Sequence, residues 1–191
     1  MKEETTLLEG LKKGMESAYR GLVEGYSDRL FRIISRFVRN PEEAKEVLQT
    51  VFLKVIENIQ KFEGNSSLYT WLYRIAVNEA LMRIRSQKPR REISWEEVLP
   101  HYEDGIRTFE VPDWSKLPDQ QLADRELQLF VQESVAELSE DLKAAYLLKD
   151  VEQLSEDEVC TILDLTKPAM KNRVHRARLF LRKRIEERYV R

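Results

Sequence analysis

The stretch Ser155-Glu-Asp-Glu-Val-Cys160-Thr-Ile-Leu-Asp164-Leu-Thr-Lys167-Pro-Ala-Met-Lys171-Asn-Arg-Val-His175-Arg-Ala-Arg178 decides the fold. Ser155 is an N-cap residue ahead of a short apolar-periodic run that ends at Leu163. Asp164, Leu165 and Thr166 then make a turn, and a longer helix begins near Lys167, with Pro168 tolerated in its first turn. Two helices joined by so short a turn form a helix-turn-helix. At about 100° per residue, Met170, Val174, Ala177 and Leu181 fall on one apolar stripe that should pack on the Ser155 helix. The opposite face carries Pro168, Asn172, His175 and Arg176, flanked by Lys171, Arg173 and Arg178. These side chains reach base edges and phosphates. The first residues of such a helix enter the major groove, so Lys171 and Asn172 are the first candidates for base contact, while Lys167, Arg173, Arg176 and Arg178 suit phosphates. His175 lies on the same face, where it is either a contact or a bystander.

Charge is segregated around this unit. The chain has 191 residues and a formal net charge of -2. From Lys167 to Arg184, however, there are eight Lys or Arg and no acid, and from Arg74 to Arg91 six basic residues against Glu79 alone. Between Glu92 and Glu126, ten acids face only Arg107, Lys116 and Arg125, with Pro100, Pro112 and Pro118 interspersed. Two basic elements therefore flank an acidic tether.

Upstream, apolar residues recur at helical spacing over 4–38, where helices joined by short Gly or Ser breaks fit best. Asn40-Pro41 starts a long helix reaching about Phe62. Gly64-Asn65-Ser66-Ser67 breaks the chain, and Ser66 or Ser67 caps a helix from Leu68 to about Arg85. After the tether, 120–137 and 140–150 read as helices, with Ser139 as a cap for the second. The expectation is an all-α protein of two small helical domains, 1–88 and 120–191, joined by an acidic linker at 89–119, the C-terminal domain carrying the helix-turn-helix.

Two N-terminal faces stand out. The helix after Pro41 has a wide apolar stripe from Ala44 to Ile59 that includes Ile56, while its other side sets Leu53 among Glu46, Gln49, Thr50 and Glu57. A leucine so placed suggests docking, or is simply one exposed leucine. The helix from Leu68 is apolar on most sides and should sit centrally, with Met82 on one of its apolar arcs. A polar stripe of Thr70, Arg74, Asn78 and Arg85 runs along it and could track a nucleic-acid strand. The small Gly64–Ser67 loop could receive an unstacked base, with Trp71 or Tyr73 either stacking on it or belonging to the core.

Other chemistries find no support. A lone Cys160 forms no internal disulfide, and His101 and His175 offer no metal-ligand spacing, so neither metal nor cofactor is expected. No nucleophile motif or phosphate-cradling glycine loop points to an enzyme. The start resembles no secretory signal and no apolar run spans a membrane, so a cytoplasmic location without membrane insertion is expected. A stand-alone helix-turn-helix regulator would account for 138–184 but leaves the stripe and loop of the N-terminal half unexplained.

Phe62-Glu-Gly-Asn-Ser-Ser-Leu-Tyr-Thr-Trp-Leu-Tyr-Arg-Ile-Ala-Val-Asn78 resembles the promoter-melting segment of the extracytoplasmic-function (ECF) sigma factors of bacteria. Asn40-Pro-Glu-Glu-Ala-Lys-Glu-Val-Leu-Gln-Thr-Val-Phe52 resembles the polymerase-binding helix of that family, and 138–178 its C-terminal helix-turn-helix, in the same order and spacing. The resemblance implies a promoter-specificity subunit of RNA polymerase. Glu46, Gln49, Thr50, Leu53 and Glu57 would dock on the core enzyme. Gly64, Asn65, Ser66 and Ser67, with Thr70, Arg74, Asn78 and Arg85, would read and melt the minus-ten element of promoter DNA. The C-terminal helix would read the minus-thirty-five element as duplex, and an anti-sigma factor would control the protein. Departures from the family pattern are Glu46 and Thr50, where an aspartate and an acid are common, and Asp164, Pro168 and Ala169, where Gly and a Gly-Thr pair are usual.

Overall fold

A computed structural model describes residues 2–87 and 120–189; the expected acidic linker at 89–119 lies outside the described residues. The described chain is helical: α1 (Lys2–Lys12), α2 (Glu16–Phe37), α3 (Pro41–Asn58), α4 (Leu68–Gln87), α5 (Gln120–Glu137), α6 (Glu140–Tyr146), α7 (Glu156–Leu163) and α8 (Lys167–Tyr189). A 3-10 turn, Ile59–Lys61, extends α3, and a wide π turn, Leu147–Val151, extends α6.

The breaks follow local chemistry. Gly14 takes a left-handed conformation, φ 72°, after α1. There Met15 N–H donates to Gly10 O and Gly14 N–H to Leu11 O, a Schellman closure that needs this backbone. The break expected from small residues is thus the one at Gly14, while Gly21, Gly25 and Ser27 lie within α2. Asn40 caps α3 by accepting from Glu42 N–H at 2.9 Å, and Pro41 fills the position whose missing N–H costs nothing. Ser67 caps α4, its hydroxyl accepting from Thr70 N–H at 3.1 Å. Ser139 occupies the N-cap position of α6 but makes no side-chain cap bond.

Helix α4 is the axle of the molecule. Leu68, Leu72, Tyr73, Ala76, Val77, Ala80 and Leu81 are all buried along it. Helices α2 and α3 pack on one side and α7 on another, as an all-round apolar helix requires. The buried stripe of α3 is narrower than its periodicity suggests. Ala44, Val47, Val51 and Val55 are buried, but Ile56 is 47% exposed, because α4 covers only one arc of the helix. Met82, at the far end of α4, is 58% exposed because the neighbouring helices leave that arc of α4 uncovered.

The apolar core runs without a gap from the N-terminal helices into α6, α7 and α8. Polar contacts ring the junction. Arg36 pairs with Glu152 at 3.0 Å, Tyr73 donates to Glu152 at 3.4 Å, and Arg85 pairs with Glu140 at 3.1 Å and with Asp141 at 3.5 Å. Burial, with smaller contributions from Tyr69 and Glu152, pushes the Tyr73 phenol well above its usual range, so it stays a neutral donor.

Close approach of α1 to α2 depends on one small residue. A Cβ at Gly10 would stand 2.7 Å from the Ala18 Cβ. Gly10→Ala should therefore destabilise the protein by about 1–3 kcal/mol, as overpacking does. Gly25→Ala, with nothing within 4 Å of the new methyl, should stabilise it by about 0.5–1 kcal/mol, as replacing a mid-helix glycine does. Urea unfolding of the two variants checks the pair.

Candidate nucleic-acid interface

The helix-turn-helix forms as its sequence requires. Ser155 and Glu158 make a reciprocal capping box: the Ser155 hydroxyl accepts from Glu158 N–H at 3.3 Å, and Ser155 N–H donates to the Glu158 carboxylate at 2.9 Å. Asp164 closes α7 in the left-handed region, φ 53° and ψ 53°, a conformation aspartate tolerates better than most residues. Met170, Val174, Ala177 and Leu181 are buried as one stripe against α6 and α7.

On the free side of α8, Lys171, Asn172 and His175 are exposed and Arg176 is half-buried. The flanking cations are paired within the domain. Lys167 meets Asp157 at 2.8 Å, Lys171 meets Glu156 at 3.3 Å, and Arg173 meets Asp141 at 3.4 Å. Arg178 is gripped at two points by Asp150, at 2.6 and 2.8 Å. That pair holds the Arg178 guanidinium above its ordinary pKa. A phosphate would have to replace a carboxylate at each of these residues, an exchange that is easy for exposed pairs worth little in water and harder at the Arg178 fork.

In the N-terminal half, the loop between Phe62 and Leu68 is exposed at Gly64, Asn65 and Ser67, and Ser66 is half-buried. Gly64 turns with φ 80°. Arg74 and Asn78 are exposed on α4. Beside Asn78 an open groove of about 290 Å³ lies between α3 and α4, lined by Lys54, Lys61 and Trp71 among others. Trp71 is only half-buried, its ring 5.1 Å from that of Phe62 and tilted by 49°, so it is both packed and presented to the groove. Lys54, Asn58 and Lys61 were not singled out in the sequence. They come from the far end of α3, and only the crossing of α3 on α4 brings them beside Asn78.

The polar stripe of α4 does not lie open along its whole length. Thr70 is 3% exposed because α7 packs over it, and Arg85 is occupied by Glu140 and Asp141. Across that junction the Glu158 carboxylate is held below the ordinary glutamate value. The Ser155 hydroxyl and amide are the main cause; desolvation opposes them, and the Thr70 hydroxyl and Lys149 help a little to hold the carboxyl down. On α3, Gln49, Leu53 and Glu57 are exposed together with Ile56, which the periodicity had assigned to the core. Thr50 is half-buried and donates to Glu46 O, while the Glu46 carboxylate accepts from Arg83 at 3.1 Å.

Residues 22–90 match the family model of Sigma-70 region 2, and residues 131–181 that of Sigma-70, region 4. The chain is 31% identical over 185 residues to the ECF RNA polymerase sigma factor SigW of Bacillus subtilis, covering 93% of this chain and 94% of that protein. It is also 31% identical to the ECF RNA polymerase sigma-E factor of Haemophilus influenzae, over 94% of each. The chain belongs to the ECF sigma factors.

As a sigma factor it binds core RNA polymerase and directs promoter-specific transcription initiation. Solved structures agree on the fold. CnrH in complex with the cytosolic domain of CnrY is similar with a TM-score of 0.67 at 17% identity, over 96% of this chain and 97% of that one. The sigma factor RpoE in complex with the anti-sigma factor NepR from Bartonella quintana is similar with a TM-score of 0.59 at 20% identity, over 88% and 96%. Among the described residues of this sigma factor no helix is long and apolar enough to cross a membrane, and no cluster of side chains could hold a metal ion.

The capping box sets an acid limit on the helix-turn-helix. A carboxylate whose folded pKa is depressed stabilises the fold above its unfolded value, 4.5 for glutamate, and that stabilisation is lost as pH falls through the folded value. Glu158→Gln should therefore be less stable than the parent near neutrality, with the deficit shrinking below about pH 4.5. Urea midpoints measured on both sides of that pH check this.

Proposed function

We propose that this sigma factor divides promoter reading between the Gly64–Ser67 loop, with Arg74 and Asn78, and the free face of α8. The loop and α4 take the minus-ten element, capturing a base unstacked from the non-template strand. The open groove beside Asn78, with Trp71 half-presented, Lys61 at its edge and Lys54 there paired with Glu79, supports that role, since single strands are held by aromatic faces and backbone-tracking cations. Lys171, Asn172 and His175 read the minus-thirty-five element as duplex, while Lys167, Arg173, Arg176 and Arg178 contact phosphates. The observation that carries the reading is the coexistence in one chain of an open groove of about 290 Å³ beside Asn78 and an exposed polar face on α8.

Thr70 and Arg85 join the strand-reading stripe once α6 and α7 leave α4, because in this arrangement the C-terminal unit occupies both. The exposed Leu53 and Ile56, rimmed by Glu46, Gln49, Thr50 and Glu57, dock on the core polymerase, with apolar contact at the centre and charge at the rim. Residues 1–88 form the docking and melting domain, 89–119 the linker and 120–191 the upstream-reading domain. The protein acts in the cytoplasm, without catalytic chemistry or cofactor of its own, and an anti-sigma factor holds it inactive. One structural neighbour was solved as a complex with the anti-sigma factor NepR, and another in complex with the cytosolic domain of CnrY.

Reconstitution with core polymerase and a promoter library randomised at both elements tests the whole reading. Starts that depend on the protein and share a two-part motif are the expected outcome; duplex binding without initiation would overturn it. In that assay Lys171→Ala or Asn172→Ala should cost about 1–3 kcal/mol of discrimination at the upstream element and leave the downstream element alone. Arg178→Ala should preserve the preference while making the log–log salt slope of upstream-duplex binding shallower by about 0.9, one phosphate contact.

A further inference from the structure

The first helix carries no part of the promoter reading proposed above, and it precedes the region 2 match that begins at residue 22. Yet it touches both ends of the proposed strand-reading loop. At the loop's entry the Lys12 ammonium donates to Phe62 O at 2.8 Å, and Gln60 Nε2 donates to Lys12 O at 2.5 Å. At its exit Leu68 N–H donates to Glu4 Oε1 at 2.8 Å. Between these anchors lie only Glu63, Gly64, Asn65, Ser66 and Ser67.

Each contact meets a need of the backbone. Leu68 N–H is among the first amides of α4, which have no acceptor within the helix; Ser67 serves Thr70 N–H, and Glu4 serves Leu68. A carboxylate there also faces the positive end of the helix dipole. Lys12 O, at the end of α1, is not used by the Schellman closure, which takes Gly10 O and Leu11 O, and so it is open to Gln60. Glu4 and Lys12 are eight residues apart in one rigid helix, a span of about 12 Å at 1.5 Å per residue. The clamp thus sets the separation of the loop's ends as a strut does. The helix itself is held against α2 by buried Leu11 and by the close passage at Gly10.

From this geometry we infer that Glu4 and Lys12 are positioning residues for downstream-element specificity, holding the Glu63–Ser67 loop at its two ends from α1. The inference rests on the assignment of that loop to the minus-ten element. Neither side chain need approach a base: each acts through a backbone group of Phe62 or Leu68. Removing either contact leaves the loop's residues intact and lets its ends drift, so the penalty falls on discrimination between bases and not on polymerase binding.

The test compares full-length Glu4→Ala, Glu4→Gln, Lys12→Met and Lys12→Arg with the parent. Initiation with core polymerase is scored on a library randomised in the downstream element behind a fixed upstream element. Amide hydrogen exchange is followed at Leu68 and Ser67 in the free protein. Glu4→Ala and Lys12→Met should flatten downstream preference by a factor of about ten, the order expected for one charge-assisted hydrogen bond. Upstream preference and affinity for core should not change. Glu4→Ala should also speed exchange at Leu68. Glu4→Gln, whose amide oxygen still accepts from Leu68 N–H, and Lys12→Arg should restore preference to within about threefold. Faster exchange with undiminished preference would overturn the inference, as would equal loss at both elements with no rescue by Gln or Arg, the pattern of general destabilisation. Undiminished downstream preference in Asn65→Ala would instead sink the loop assignment itself.

Discussion

Burial of α4 on nearly every side is the constraint on which the rest of the structure depends. A helix carrying Leu68, Leu72, Tyr73, Ala76, Val77, Ala80 and Leu81 around most of its circumference cannot lie at a surface without exposing a large apolar area. Helices α2 and α3 cover one side and α7 covers another. What remains open is a narrow strip at Arg74, Asn78 and Met82 and the groove beside it. The proposed strand-reading surface is thus the part of a core helix that its neighbours leave uncovered, and it inherits the rigidity of the core.

Charge follows a second pattern. The acids of α6, α7 and the π turn face cations from two directions: Arg36 and Arg85 from the N-terminal half, and Lys167, Lys171, Arg173 and Arg178 from α8. In water such exposed pairs contribute little to stability. They do position the cations and present carboxylates where phosphates would otherwise sit. Asp150, among the most buried of these acids, holds its partner at the shortest distance, and Arg178 at its two-point contact is the cation with the most to exchange.

Much of this was legible in the order of residues. The Ser155 cap, the Asp164 turn and the Met170, Val174, Ala177, Leu181 stripe are local features set by spacings of a few residues, and all appear in the fold. So does the central place of α4, since an apolar surface on most sides leaves few other options. The misreadings share a cause. Ile56 and Met82 have the right period for burial, but period says only which face a residue is on, not how wide an arc the neighbours cover. Thr70 looked like the start of an open polar stripe and is buried, because its cover arrives from α7, more than eighty residues further along the chain.

The sequence by itself determined the starts of α3, α4, α7 and α8, the two basic blocks, the helix-turn-helix and the membership of the family, because each rests on local spacing or on a pattern shared with relatives. Only the tertiary structure decided which cations are free and which are paired. It also placed Lys54 and Lys61 beside Asn78 and set Glu4 and Lys12 at the two ends of one loop. Those relations join residues tens of positions apart, and their distances are set by how helices cross, which no local period encodes.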